Sequence, residues 1–135
     1  MPLQFSTLVR NAILDSIETT TGASAILRIR SGAVPANCGA ADAGTVLATV
    51  NLPADYFANA SGGSKALQGS WQDLSADAAG TIGHFRLYDS AGTTCHMQGT
   101  VTATGGGGDM QVDNTVVAAG QQFNITAATL TAPGA

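Results

Sequence analysis

The hydrophobic period of this chain changes once, at Gly22, and that change constrains its fold more than any other feature. Before it, Leu8, Val9, Ala12, Ile13 and Ile17 fall on one stripe at helical spacing. The spacing predicts an amphipathic helix over residues 6–21, with Ser6 or Thr7 placed to cap its start and Gly22 to stop it. Asp15 and Glu18 sit near the negative end of the helix dipole, so packing against the rest of the domain must hold it. After Gly22 the period falls to two. Runs rich in Val, Ile, Thr and aromatics occupy residues 25–30, 45–52, 65–71, 81–88, 93–103, 110–112, 115–117 and 122–131, between Gly, Asp and Pro punctuation. That spacing predicts a mainly-β fold, an antiparallel β-sandwich of jelly-roll or Ig-like type over residues 24–131. Residues 1–5 are left as a flexible arm and 132–135 as a tail. A chain of 135 residues buries about two-thirds of its unfolded surface, which suits one domain.

One turn formula recurs: Asp42-Ala-Gly-Thr45, Asp77-Ala-Ala-Gly-Thr81 and Asp89-Ser-Ala-Gly-Thr93. Asp bonds the backbone ahead of it, Gly takes positive φ, and Thr opens a strand. The irregular spacing of the copies excludes a solenoid. In the third copy a three-residue loop, Ser90–Gly92, predicts that Asp89 opposes Thr93, Leu87 opposes Cys95 and Phe85 opposes Met97. Apolar residues then share one face, whereas a longer loop mixes the faces. The other face collects His84, Arg86, Tyr88, Thr94, His96 and Gln98.

Composition narrows the function classes. Ala, Gly, Thr and Ser make up about half the chain, Lys65 is its only lysine and Glu18 its only glutamate. Charged residues are 10% and the net charge is −4, with Arg10, Arg28, Arg30, Lys65 and Arg86 scattered among nine acids. Nucleic acid needs clustered cations, so it is not an expected partner. A membrane is not expected either, since Arg10, Asp15 and Glu18 interrupt the N-terminal apolar run. No secretory leader is recognisable, which predicts synthesis in a cytoplasm with Cys38 and Cys95 as free thiols.

Chemistry-bearing constellations are sparse. His84 and His96, placed diagonally by the expected register with Cys95 on the other face, lack a third ligand and sit beside Arg86, so no metal or cofactor is expected. No Gly-x-Ser-x-Gly elbow is present. The pairs Asp73/Asp77 and Asp109/Asp113 flank turn glycines, where Asp shapes turns more often than it cleaves glycosides. Gly105–Gly108 reads as a mobile loop tip; Asp109 follows where a phosphate loop needs Lys. Trp71 and Tyr88 are either core anchors or marks of a contact surface. No catalytic residue is assigned, and a non-enzymatic role is expected.

Three stretches, Arg10-Asn-Ala-Ile-Leu-Asp-Ser-Ile17, Ala25-Ile-Leu-Arg-Ile-Arg-Ser-Gly32 with Pro35-Ala-Asn37, and Phe85-Arg-Leu-Tyr-Asp-Ser-Ala-Gly92 with Met97-Gln-Gly-Thr-Val101, carry a family likeness. Over residues 6–131 the chain resembles a family of small virion proteins of tailed bacteriophages. The resemblance implies a capsid decoration or cement protein, made in the host cytoplasm, that braces the major capsid protein from the outside of the virion as a homo-oligomer, trimer or dimer. It leaves a tail, connector or fibre-base component as the alternative, and a carbohydrate-binding β-module as a third. Relatives carry an aromatic where Arg30 stands, which places Arg30 among residues that set contacts. The expected interface residues are Leu3 and Phe5 as apolar pegs on the arm, with Arg30, Trp71, Arg86, Tyr88 and His96.

Overall fold

The computed structural model describes residues 3–134; Met1, Pro2 and Ala135, the outermost residues of the expected arm and tail, lie outside them. The fold is mainly β, with one N-terminal helix, as the change of period predicts. The elements are α1 (Thr7–Thr21), β1 (Ile26–Ser31), β2 (Val46–Asn51), β3 (Ser64–Ala66), β4 (Gln72–Asp73), β5 (Gly80–Tyr88), β6 (Cys95–Ala103), β7 (Met110–Val112), β8 (Val116–Val117) and β9 (Phe123–Thr131). Pairing runs β2-β1-β5-β6-β7-β9-β3, with β4 also on β9 and β8 on β5. This is one curled mixed sheet; a jelly-roll or Ig-like sandwich is a finer description than the pairing supports. Its curl brings β2 towards the segment after β4. Leu47 O accepts from Asp77 N at 2.8 Å, and Asp73 Oδ2 accepts from Thr49 N at 3.0 Å, so the outer edge of β2 is not left bare.

Inside the curl lie Leu27, Ile29, Leu47, Val50, Phe85, Leu87, Met110, Val112 and Phe123, all buried. One end is plugged by Tyr56, Phe57 and Trp71, whose ring centroids are 5.2–6.3 Å apart at tilted or edge-on angles. The Trp71 indole N–H donates to Tyr56 O at 3.0 Å and the Tyr56 hydroxyl to Gly22 O at 3.0 Å, which satisfies the polar tips of this cluster. Trp71 is thus a core anchor.

The parallel pair β6–β7 explains the glycine run. Parallel neighbours ordinarily need a crossover of about a dozen residues, yet Thr104–Asp109 achieves it in six. Gly105 and Gly107 have φ of +86° and +80°, while a Cβ on Gly106 or Gly108 would lie 2.8 Å from the Thr102 side chain. Alternate glycines therefore supply conformation and clearance in turn. The segment is tied down as well, through Gly108 N to Thr102 Oγ1 and Thr100 N to the Asp109 carboxylate.

The β5–β6 hairpin differs from the expected register. Asp89 N donates to Thr94 O, Tyr88 opposes Cys95, and a bulge then shifts the pairing so that Leu87 opposes Met97, Arg86 opposes Gln98, Phe85 opposes Gly99 and His84 opposes Thr100. The expected pairs Asp89/Thr93, Leu87/Cys95 and Phe85/Met97 are corrected, as is the diagonal placing of His84 and His96. Two forces favour the longer loop. Asp89 Oδ1 accepts from Thr93 N, which must therefore lie in the turn. The bulge then absorbs one residue and returns Leu87 and Met97 to the core side. The turn formula itself holds only in part, because Gly44 and Gly92 have positive φ whereas Gly80 belongs to strand β5.

Helix α1 begins where Ser6 Oγ accepts from Val9 N and ends at Gly22, φ +89°, whose N–H donates to Glu18 O. Its orientation is the reverse of an ordinary amphipathic helix. Leu14 and Thr21 are its only buried residues, and Ile17 alone of the apolar stripe packs on the core. The inward side is polar: Arg10 donates to Ala132 O, and Asn11 accepts from Gly63 N. Asp15 accepts from Ala60 N and Glu18 from Phe57 N. Through Arg10 and Phe5 N, which donates to Gly134 O, the expected arm and tail hold each other in place.

Candidate interaction surface

Two regions collect the residues of interest. The first is the outer side of β1 and β5, where Arg28 directly opposes Arg86 and Arg30 opposes His84. Like charges face to face repel, yet each cation here has its own acceptors: segment 32–45 folds over Arg86 and Arg30 and supplies theirs, while Arg28 turns to Gly92 O. Asp42 is the centre: its carboxylate accepts from Arg86 Nη1 and from the Tyr88 hydroxyl, and pairs with Arg30 Nη2 at 3.1 Å. The remaining Arg86 bonds go to the carbonyls of Cys38 (2.8 Å), Ala40 (3.1 Å) and Asn37 (3.3 Å). Gln98 donates to Pro35 O, His84 Nδ1 to Gly32 O, and Arg28 lies over the Tyr88 ring while donating to Gly92 O. The Tyr88 hydroxyl bond, followed by the Arg86 and Arg30 guanidiniums, holds the Asp42 carboxyl below the usual carboxylate range. Burial, reinforced by Asp42, raises the pKa of Tyr88.

Arg86, Tyr88 and Arg30 are therefore 1%, 2% and 7% exposed, and Trp71 is 2% exposed. None of the four presents a side chain at the surface of this chain, which corrects their assignment to an interface. The sequence suggested an open polar face because segment 32–45, which covers it, has no strand pattern of its own. His96 is half-buried beside the bulge, and Leu3 and Phe5 are exposed. Arg30 Nε, His84 Nε2, Arg86 Nε and Gln98 Oε1 have no hydrogen-bond partner among the described residues, so the polar layer is the least satisfied part of the described interior. Between segment 32–45 and the β5–β6 turn opens a cleft of about 410 Å³ lined by Cys38, Asp42, Arg86, Tyr88, Thr94 and Cys95 among others. No group of three or more His, Cys, Asp or Glu residues able to hold a metal occurs among the described residues.

The second region is the outward side of α1. Leu8 is 82% exposed, Val9 44% and Ile13 39%, with Ala12 and Ser16 also exposed between them. This side carries no charge, because Arg10, Asp15 and Glu18 all turn inward. Asp15 and Glu18 grip Lys65 Nζ at 2.6 and 2.9 Å, so the only lysine and the only glutamate of the chain meet in one cluster. Burial opposes the charge on Lys65, but these two hydrogen bonds outweigh it and raise its pKa. The same lysine, with the Ala60 N–H, lowers that of Asp15. A sequence sign of this orientation exists: Arg10, Asn11, Leu14, Asp15 and Glu18 form a helical stripe as coherent as the apolar one.

Every charged side chain makes a hydrogen bond within the chain. All nine carboxylates accept a hydrogen bond from the chain, including Asp73, Asp77, Asp109 and Asp113. All five cations donate one. No helix of the described residues is long and apolar enough to cross a membrane. Compared with family models, with curated proteins and with solved structures, the chain matches none.

Proposed function

We propose that this chain is a non-enzymatic structural protein of a tailed-bacteriophage virion, a decoration or cement protein that binds the outer surface of the major capsid lattice and stabilises the head. The observation that carries the contact part of this reading is the outward side of α1, where Leu8, Val9, Ala12 and Ile13 face solvent while every charge of the helix is bonded inward. Burying such a side against a partner desolvates no ion, and an amphipathic helix laid into an apolar groove is a recurrent recognition mode. The virion assignment rests on the family resemblance of residues 6–131. A surface rich in Thr, Ser, Ala and Gly suits close, symmetric packing. A tail, connector or fibre-base part would use the same features. No observation favours the carbohydrate-binding reading, since Trp71 and Tyr88, the side chains proposed for a sugar platform, are buried.

Purified protein added to empty capsids tests the proposal. Saturable occupancy at symmetry-related sites on the outer lattice, lost in a Leu8→Ser/Ile13→Ser variant that remains folded, is expected. Absence of occupancy overturns it, and density on a tail or connector in a virion reconstruction replaces it by the alternative.

A further inference from the structure

Cys38 and Cys95 are the only cysteines of the chain, and the fold brings both to one cleft although 56 residues separate them. Both line the cleft between segment 32–45 and the β5–β6 turn, and both are half-exposed free thiols. Their approach is built by other residues. Cys95 opens β6 opposite Tyr88, and the neighbouring Arg86 holds the Cys38 carbonyl at 2.8 Å, so one guanidinium fixes the backbone of the first cysteine in front of the strand that carries the second. Burial raises the pKa of the Cys38 thiol, and the neighbouring Cys95 adds to that shift. Cys95 Sγ also touches Met97 O at 3.4 Å, which is possible because of the bulge.

We propose that Cys38 and Cys95 are a redox pair that closes to an intramolecular disulfide in an oxidising medium and staples segment 32–45 to β6. The oxidant is a small-molecule disulfide such as oxidised glutathione. One protein thiolate attacks it, forming a mixed disulfide and releasing one glutathione thiolate. The other protein thiolate then attacks the protein sulfur of that mixed disulfide, releasing the second. Two protein thiols are oxidised, one glutathione disulfide is reduced to two thiols, and the two protons pass to the departing thiolates. In the reduced state the segment is held by non-covalent bonds only, from Arg30, His84, Arg86, Tyr88 and Gln98 among others. The closed state adds a covalent tie and shortens the unfolded chain by a loop of roughly 57 residues. The inference does not rest on a capsid role, since it needs only the cleft and an oxidant.

The full chain, incubated with graded ratios of oxidised to reduced glutathione, gives the test. Expected is a monomer lighter by about 2 Da with both thiols lost to titration, and a Tm higher by on the order of 5–10 °C. Trypsin, cutting after Arg30, Lys65 and Arg86, then yields residues 31–65 linked to 87–135 until a reductant is added. Cys38→Ser and Cys95→Ser each abolish the mass loss and the Tm rise while leaving reduced-state stability near that of the parent. Two titratable thiols persisting in oxidised glutathione, or stable glutathione adducts, or linkage only between separate chains, overturns the pairing. A disulfide that forms but lowers Tm overturns the staple.

Discussion

Arg86 directs all four of its terminal N–H bonds at segment 32–45. A guanidinium so buried is tolerated because three carbonyls and one carboxylate replace its water, and removal of one partner leaves the others exposed to that loss. Arg86→Met is expected to cost about 3–5 kcal/mol in urea unfolding at pH 7. Arg86→Lys recovers only part, since an ammonium cannot span the four acceptors of a planar fork. Equal stability of the parent and the Met variant would show that the segment needs no anchor. Asp42 adds a pH signature. Its folded pKa lies below the unfolded value of about 3.9, so its contribution is complete above that value and disappears as pH falls through the lower folded one. Urea midpoints at pH 7, 5 and 3 are expected to be level between the first two and to drop at the third. Asp42→Asn should be weaker at pH 7 and should lose a smaller fraction at pH 3; an unchanged acid drop would remove Asp42 from the explanation.

Helix α1 turns the usual rule of helix packing around, and its stability effects should follow. Leu8→Ser and Ile13→Ser, on the exposed side, are expected to shift unfolding by no more than about 0.5 kcal/mol each. Leu14→Ala, at the buried contact, is expected to cost about 2–5 kcal/mol. The reverse order in thermal or urea unfolding would put the apolar stripe back in the core. The bounds of this helix, Ser6 and Gly22, were legible in the sequence, and so were most strands, because capping chemistry and period are local properties. Its orientation was not. Choosing the buried side required knowing that Lys65, Ala60 and Gly63 would lie opposite, which is a property of the tertiary fold. The same limit applies to β5, where alternation holds for Phe85 and Leu87 but His84, Arg86 and Tyr88 are also buried. A strand covered on both sides reads as half-exposed when its second cover is a loop.

At the level of the molecule, the helix and the curled sheet are joined by ions more than by an apolar seam. Lys65 is 2% exposed on β3, Asp15 keeps about half of its side chain in water, and Glu18 about a fifth. This asymmetry makes the junction a coupling between two parts of unequal stability. The sheet centre, β1 with β5 and β6, is buried and densely bonded, whereas α1 contributes only Leu14, Ile17 and Thr21 to the apolar contact. Asp15→Asn with Glu18→Gln leaves the ammonium enclosed without a counter-charge. A loss of stability is expected, smaller than for a fully enclosed pair because α1 can lift and readmit water. Hydrogen exchange should place that loss. Amides of α1 lose protection while those of β1 and β5 keep theirs, since lifting the helix breaks no strand pairing. Adding Lys65→Met to the double variant removes the uncompensated charge and should restore part of both the stability and the α1 protection, a positive coupling in the cycle. Strictly additive losses, or protection lost evenly across α1, β1 and β5, would mean that the ion cluster is incidental and that the two parts unfold as one.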